Sequence, residues 1–374
     1  MNFLIKLIQK LLQKPILKPV NLPARLWPLL LTLCLFTACG SKQSQADFRP
    51  VNRGTEPLIN SQRMRDVVRE LSGIEYYGRL PGSAGDKLTQ TFLVEQFKQI
   101  GLQPALQNSY LQSFSSTIVE PDGTSHANPP NPLLGQSVSS NNILGLLPGS
   151  DPQLRHELII ISAHHDHLGW TADGRYYPGA NDDLSGLAAM LELARAFKAL
   201  HDSGKPNKRS LLFVAYGAEE QYEMGSMYHA AHPLADFPNN RIALMISIDM
   251  IGLGYQDWRH YSAQQRHAYV ALWLEQMHNE NREDSDAYSH EYPPQDSQIF
   301  SYDAGPFSRL GVPNRVFGRA QGIVHYHQTS DTWDTLDYPS AAIFTRTLFD
   351  FLQDVDRSPA RAQKQWMSGH TRQS

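Results

Sequence analysis

Three short and almost wholly apolar runs stand out along the chain: LIIISA at residues 158–163, LLFVAY at 211–216 and IALMISI at 242–248. None alternates between apolar and polar positions, so each reads as a strand buried on both faces, as in a sheet covered by helices. Helical spacing of apolar positions marks residues 61–71, 86–100, 184–200, 225–231, 262–277 and 340–352, with Ser262 as an N-cap. Residues 141–150 read as a strand ending in a turn, and 313–317 as a further strand. The GRLPGS stretch at 78–83 is a Pro/Gly turn, and 109–136, rich in Ser, Asn and Pro, reads as loops with a hairpin. Buried strands alternating with helices predict a single α/β domain over residues 61–356, its sheet covered on both faces.

The ends of the chain have a different character. Residues 1–38 carry Lys6, Lys10, Lys14, Lys18 and Arg25 and no acid, and close with the apolar run LWPLLLTLCLFTA. That run is shorter than the ~20 residues of a membrane span and matches a secretion signal, with an uncleaved signal anchor as the alternative. FTAC at 36–39, followed by Gly40, resembles a bacterial lipoprotein signal box. The resemblance implies export, lipidation of Cys39 as the first mature residue, and a lipid anchor in the cell envelope; Gly40 in place of Asp implies the outer membrane. Residues 39–60 read as a tether and 357–374 as a polar, basic tail.

Composition narrows the chemistry. The chain has 374 residues, 41% of them hydrophobic, enough for a real core. A formal net charge of −4, without a basic excess, argues against nucleic acid as a partner. The two cysteines, Cys34 and Cys39, fall within or at the end of the signal. A metal site in the mature chain must therefore use His, Asp and Glu.

Candidates for that chemistry follow the buried strands. Residues 163–167 read AHHDH, 179–186 GANDDLSG, 217–220 GAEE, and 325–334 HYHQTSDTWD, while Asp249 ends the run at 242–248. Each alone reads as a cap or a solvated turn. Together they bring carboxylates and imidazoles from five loops to one sheet edge, where open α/β sheets build their sites. Carboxylates gathered there repel one another, and one or two cations are the natural remedy. Strand alternation continued past 163 places His164 and Asp166 on one face and His165 and His167 on the other.

The ordered set AHHDH, PGANDDLSG, GAEE, IDMIG, YH and SDT resembles the co-catalytic zinc aminopeptidase family, which includes bacterial leucyl aminopeptidases, glutamate carboxypeptidase and, more distantly, glutaminyl cyclase. The likeness runs from Arg79 to the closing helix, and RLPGS at 79–83, Gly225–Ser226 and DAGPFSRLGVP at 303–313 look similar too. It implies a zinc-exopeptidase-like, three-layer α/β/α fold with a central mixed, mostly parallel sheet. It implies two zinc ions, with Mn or Co also compatible with a Cys-free shell. His164 and Asp249 would bind one metal, Glu220 and His327 the other, and Asp182 would bridge. Glu219 would be the general base and Asp166 a carboxylate orienting His164 from behind. The peptide between Asp182 and Asp183 is cis in relatives. The same resemblance makes His165 an aromatic-position filler and leaves His167 in a turn without metal contact. Tyr326 is either an oxyanion donor or a packing aromatic. Ala304 departs from the Asp-His that many relatives carry at the start of that segment.

The implied activity is release of N-terminal residues from peptide substrates. Rival readings are a glutaminyl cyclase, which uses one zinc and typically lacks the DDxSG of residues 182–186; a carboxypeptidase or dipeptidase, suggested by the Tyr326–His327 pair; and a binding protein on an inactive scaffold, against which all five ligand positions are filled. Tyr176 and Tyr177 are candidates to rim the pocket, and the long polar stretch 279–298 is a solvated excursion or a lid. The sequence does not fix the oligomeric state.

Overall fold

The computed structural model describes residues 58–119, 133–171, 173–253, 260–279, 302–318 and 325–359. The signal, Cys39, most of the tether, residues 280–298 and the tail beyond 359 lie outside the described residues.

Ser61–Leu71 forms α1 and Ala84–Ile100 forms α2. Asn60 caps α1 by accepting from Gln62 N, and Ser83 caps α2 by accepting from Asp86 N at 3.1 Å. Gly101, at φ 86°, closes α2 in the left-handed conformation that glycine adopts without steric cost. Three strands follow: β1 (Gln103–Pro104), β2 (Leu111–Thr117) and β3 (Ser137–Leu147). β2 pairs antiparallel with β3, from Leu111 opposite Ile143 to Thr117 opposite Ser137, so its partner strand lies beyond the 109–136 stretch expected to hold a hairpin. The apolar pattern concealed β2 because its inward positions include Gln112 and Ser116; the Gln112 carbonyl accepts from Asn142 and its amide donates to the His232 carbonyl.

The apolar runs become β4 (Leu158–His164), β5 (Ser210–Tyr216) and β6 (Ile242–Asp249). Between and after them come α3 (Gly186–Asp202), α4 (Met224–Ala231), α5 (Ala263–Asn279), the five-residue α6 (Gly305–Arg309), β7 (Asn314–Gly318) and α7 (Tyr338–Arg357). Several elements differ from expectation, β1 and β2 among them. The short α6 was not foreseen, since one turn leaves no periodicity to read. Asp337 caps α7, whose last turn extends to Arg357.

The sheet order is β1–β3–β5–β4–β6–β7, with β2 on β3. β5, β4, β6 and β7 are parallel, while β3 runs against β5, β1 and β2. Strand alternation sorts the apolar side chains into two cores. Ile159, Ile161, Phe213, Ala215, Ile246 and Ile248 face α1, α2, α3 and α7. Leu158, Ile160, Leu212, Val214 and Met245 face Ala230 of α4 and Phe307 of α6. The molecule is thus a single α/β domain of three layers, as expected. Because β4, β5, β6 and β7 are parallel, their last residues, His164, Tyr216, Asp249 and Gly318, gather at one edge.

Candidate metal centre

His164 is the last residue of β4, opposite Tyr216. Its Nδ1 lies 3.3 Å from the Asp166 carbonyl and 3.7 Å from Asp166 Oδ1. A proton on Nδ1, facing these oxygens, leaves the Nε2 lone pair pointing at carboxylates. Those are Asp182 Oδ1 at 3.2 Å, Glu219 Oε2 at 3.8 Å and Asp249 Oδ1 at 3.9 Å.

Asp182 sits on a wide helical turn, Ala180–Ser185, ahead of α3. The turn is held by Asp331, whose carboxylate accepts from Asn181 N at 3.0 Å and Asp182 N at 3.1 Å. The Asp182–Asp183 peptide is cis, as the resemblance implied. Asp182 turns its second oxygen toward His327 Nε2, 3.3 Å away. His327 Nε2 is also 3.1 Å from Glu220 Oε2. Asp182 therefore faces a different histidine with each oxygen.

His164, Asp183 and Asp249 also carry potential ligand atoms within 4.8 Å of one another. The Asp183 carboxylate is otherwise engaged, however. It accepts from Gly186 N at 2.9 Å and Met250 N at 3.1 Å on one oxygen, and from His164 N at 3.2 Å on the other. It acts as a strut between the ends of β4 and β6 and the start of α3, while Asp182 Oδ2 accepts no hydrogen bond.

Asp166 does more than stand behind His164. Its two oxygens accept from Glu219 N at 3.0 Å and Glu220 N at 3.3 Å, so one carboxylate sets the backbone of both glutamates. Glu220 is wedged between His167 Nδ1, 2.7 Å from Oε1, and His327. The Glu219 side chain retains 12% exposure against 5% for Glu220, so it is the glutamate nearer the opening.

The expectation that His167 stands apart needs correcting. β4 ends at His164, so alternation no longer governs the next residues. The loop instead pairs with the backbone at 78–79, through His167 N to Arg79 O at 3.4 Å and Gly169 N to Gly78 O at 2.9 Å, and His167 swings into the site. His165 points elsewhere and bonds Asp86 of α2 through Nε2 at 3.1 Å. The Tyr326 ring stacks on its neighbour His327, centroids 3.8 Å apart. Half-buried Tyr177 meets His167 edge-on. Ala218, Met250 and His327, each on a loop of the centre, have φ of 57°, 51° and 55°. Non-glycine residues in this left-handed region persist where the surroundings over-determine them.

Burial sets these groups against one another. It works against charge on His327, but Glu220 and Asp182 outweigh it and raise that imidazole to about 11. Burial alone would raise Glu220, and His327 and His167 instead bring it down to about 2. Burial lifts Asp249 to about 7, despite His164 nearby. Burial, reinforced by Asp303, Glu220 and Asp249, holds Glu219 well above the usual carboxylate range, despite His164.

Such a site fits a cation. His164 Nε2, Asp182 Oδ2 and Asp249 Oδ1 are buried and make no hydrogen bond. Zinc–ligand bonds of about 2.0–2.2 Å at tetrahedral angles put neighbouring ligand atoms about 3.3 Å apart; here they are 3.1, 3.2 and 3.3 Å apart, with the Asp249 contact at 3.9 Å. The donors are nitrogen and oxygen only, a set that suits zinc.

Comparisons with known proteins bear on the family and the fold. Residues 142–352 match the family model of peptidase family M28. The aminopeptidase YwaD of Bacillus subtilis is 30% identical over 119 residues, 32% of this chain and 23% of that protein. The uncharacterized protein YfbL of Escherichia coli is 39% identical over 125 residues, 31% of this chain and 34% of that protein. The chain thus spans about a quarter to a third of these relatives' length. Among solved structures, an aminopeptidase from Aneurinibacillus sp. strain AM-1 superposes with a TM-score of 0.56 at 17% identity, covering 79% of this chain and 94% of that one. The glutaminyl cyclase of Porphyromonas gingivalis does so with a TM-score of 0.52 at 16% identity, covering 79% and 99%. At such identities these two likenesses speak for the fold alone. The family match takes in β4, β5, β6 and β7 and the loops that carry His164, Asp182, Glu219, Glu220, Asp249 and His327, and by it the chain belongs to the metallopeptidases of family M28.

Proposed function

We propose that the protein is a zinc-dependent aminopeptidase that releases N-terminal residues from peptides. The observation that carries this is the Asp182 carboxylate facing His164 with one oxygen and His327 with the other, which suits two ions sharing one bridge. In this reading His164 and Asp249 would hold one zinc, Glu220 and His327 would hold the second, and Asp182 would contribute to both. Zinc bound there supplies Lewis acidity, which makes water a nucleophile near neutral pH and polarises the scissile carbonyl. Glu219, oriented through its backbone by Asp166 and raised in proton affinity by burial, takes the proton of the attacking water and delivers it to the leaving amine. The Tyr326 hydroxyl donates to the developing oxyanion; a Tyr326→Phe enzyme with unchanged kcat would remove it from that role.

The deciding experiment takes the chain from the residue after Cys39, a panel of aminoacyl and peptide substrates, and metal analysis. Near two zinc per chain with amino-terminal release supports the reading. One zinc with cyclisation of N-terminal glutamine replaces it with a cyclase, and carboxyl-terminal release with a carboxypeptidase. The leader and Cys39 support a further part of the proposal, export and a lipid anchor in the outer membrane. Palmitate labelling that persists in Cys39→Ser would reject the anchor.

A further inference from the structure

The RLPGS stretch at residues 79–83 has no part in the chemistry above, yet it sends a guanidinium beneath the centre. Arg79 has 0% exposure. It enters the interior through three consecutive left-handed residues, Tyr77, Gly78 and Arg79, at φ of 43°, 63° and 51°. Backbone of this kind is kept only where the surroundings require it.

The guanidinium bonds four backbone carbonyls. Nε donates to His165 O at 2.9 Å, Nη1 to Pro178 O at 2.6 Å and Leu71 O at 3.3 Å, and Nη2 to Gly179 O at 3.0 Å. His165 lies between His164 and Asp166, and Pro178–Gly179 leads directly into Asp182. One planar group therefore spans the two loops that carry His164, His167 and Asp182, and ties both to the end of α1. The Asp182 loop is fitted around it, since a Cβ on Gly179 would come 2.6 Å from Arg79 Nη2 and 2.5 Å from His167 Cδ2. Among the described residues Arg79 forms no hydrogen bond to a carboxylate; burial works against its charge most strongly, and Asp166, Asp182, Asp331 and Asp183 favour it. Its charge offsets the acidic cluster without occupying the Asp182 oxygens, which face His164 and His327. Lysine, with one ammonium in place of a flat fork, does not reproduce this pattern.

We propose that Arg79 is a positioning residue for the metal centre, setting the distance between the loop after β4 and the Asp182 turn, and with it the spacing of His164 and His167 against Asp182. This rests on reading those loops as the zinc-binding centre.

The test compares the wild-type chain with Arg79→Lys and Arg79→Met. Zinc affinity is measured by chelator competition, and folding of the metal-free chains by circular dichroism and thermal unfolding. The expected result is that both variants fold without metal and bind zinc at least about tenfold more weakly, as loss of a partner that orients ligands typically does, with Lys closer to Met than to wild type. A folded variant of either kind with wild-type zinc affinity overturns the proposal. So does failure of both to fold with and without zinc, which would make Arg79 a requirement of the fold rather than of the centre. A wild-type chain that binds no zinc instead defeats the reading of these loops as a zinc centre, a result separate from any difference between Arg79 variants.

Discussion

His167 Nδ1 lies 2.7 Å from Glu220 Oε1, and the other oxygen of that carboxylate faces His327. Glu220 is therefore aimed by one histidine while it meets a second. Removing the aiming partner frees the carboxylate to rotate. His167→Ala is expected to weaken zinc binding at the His327 side by about 10–100-fold, while zinc at the His164–Asp249 side is retained. Chelator titration showing two unchanged affinities would refute this.

Glu219 and Glu220 are adjacent, but only Glu220 is wedged between imidazoles. Glu219→Gln should lower kcat by about 10²-fold or more, the usual weight of a general base, and keep the full metal content. Metal loss in this variant would mean that the roles of the two glutamates are exchanged.

Asp183 accepts three backbone N–H bonds from three elements. Asp183→Ala strands those buried donors, at about 1–3 kcal/mol for each one left unsatisfied. Thermal unfolding of the metal-free chain should show a large loss of stability. An unaltered Tm would return Asp183 to the candidate ligands.

The metal-free centre stores protons. His327 is raised from 6.5 to about 11, so its contribution to stability is complete below 6.5 and is lost as pH rises toward 11. Asp249, raised from 3.8 to about 7, contributes below 3.8 and ceases to as pH rises through 7. Both signs agree, and the metal-free chain should lose stability as pH rises from 4 to 9. Zinc requires neutral imidazole and ionised carboxylate, so its binding should release protons and its apparent affinity should rise with pH over that range. Calorimetry in buffers of different ionisation enthalpy measures the release; proton uptake, or none, would contradict it.

Much of this was legible before folding because it depends on local pattern. The apolar runs at 158–163, 211–216 and 242–248 could only be strands buried on both faces, and what followed each run had to sit at one sheet edge. β2 stayed hidden because two of its three buried side chains, Gln112 and Ser116, are polar, and Gln112 is satisfied by Asn142 and His232, partners 30 and 120 residues away. The division of AHHDH failed at His167 for a similar reason. Alternation is a property of a hydrogen-bonded strand, and the strand stops at His164.

By itself, then, the sequence determined the layers, the edge at which the chemistry collects, and the residue types available there. Only the tertiary structure decided which oxygen faces which nitrogen. Asp182 and Asp183 are chemically identical neighbours; one is left facing two histidines because the other is occupied by N–H groups from β4, α3 and the turn after β6. Arg79 reaches the centre through carbonyls of three separate segments. Those assignments depend on hydrogen-bond partners brought together from distant parts of the chain, and neither composition nor spacing along it records which partners those are.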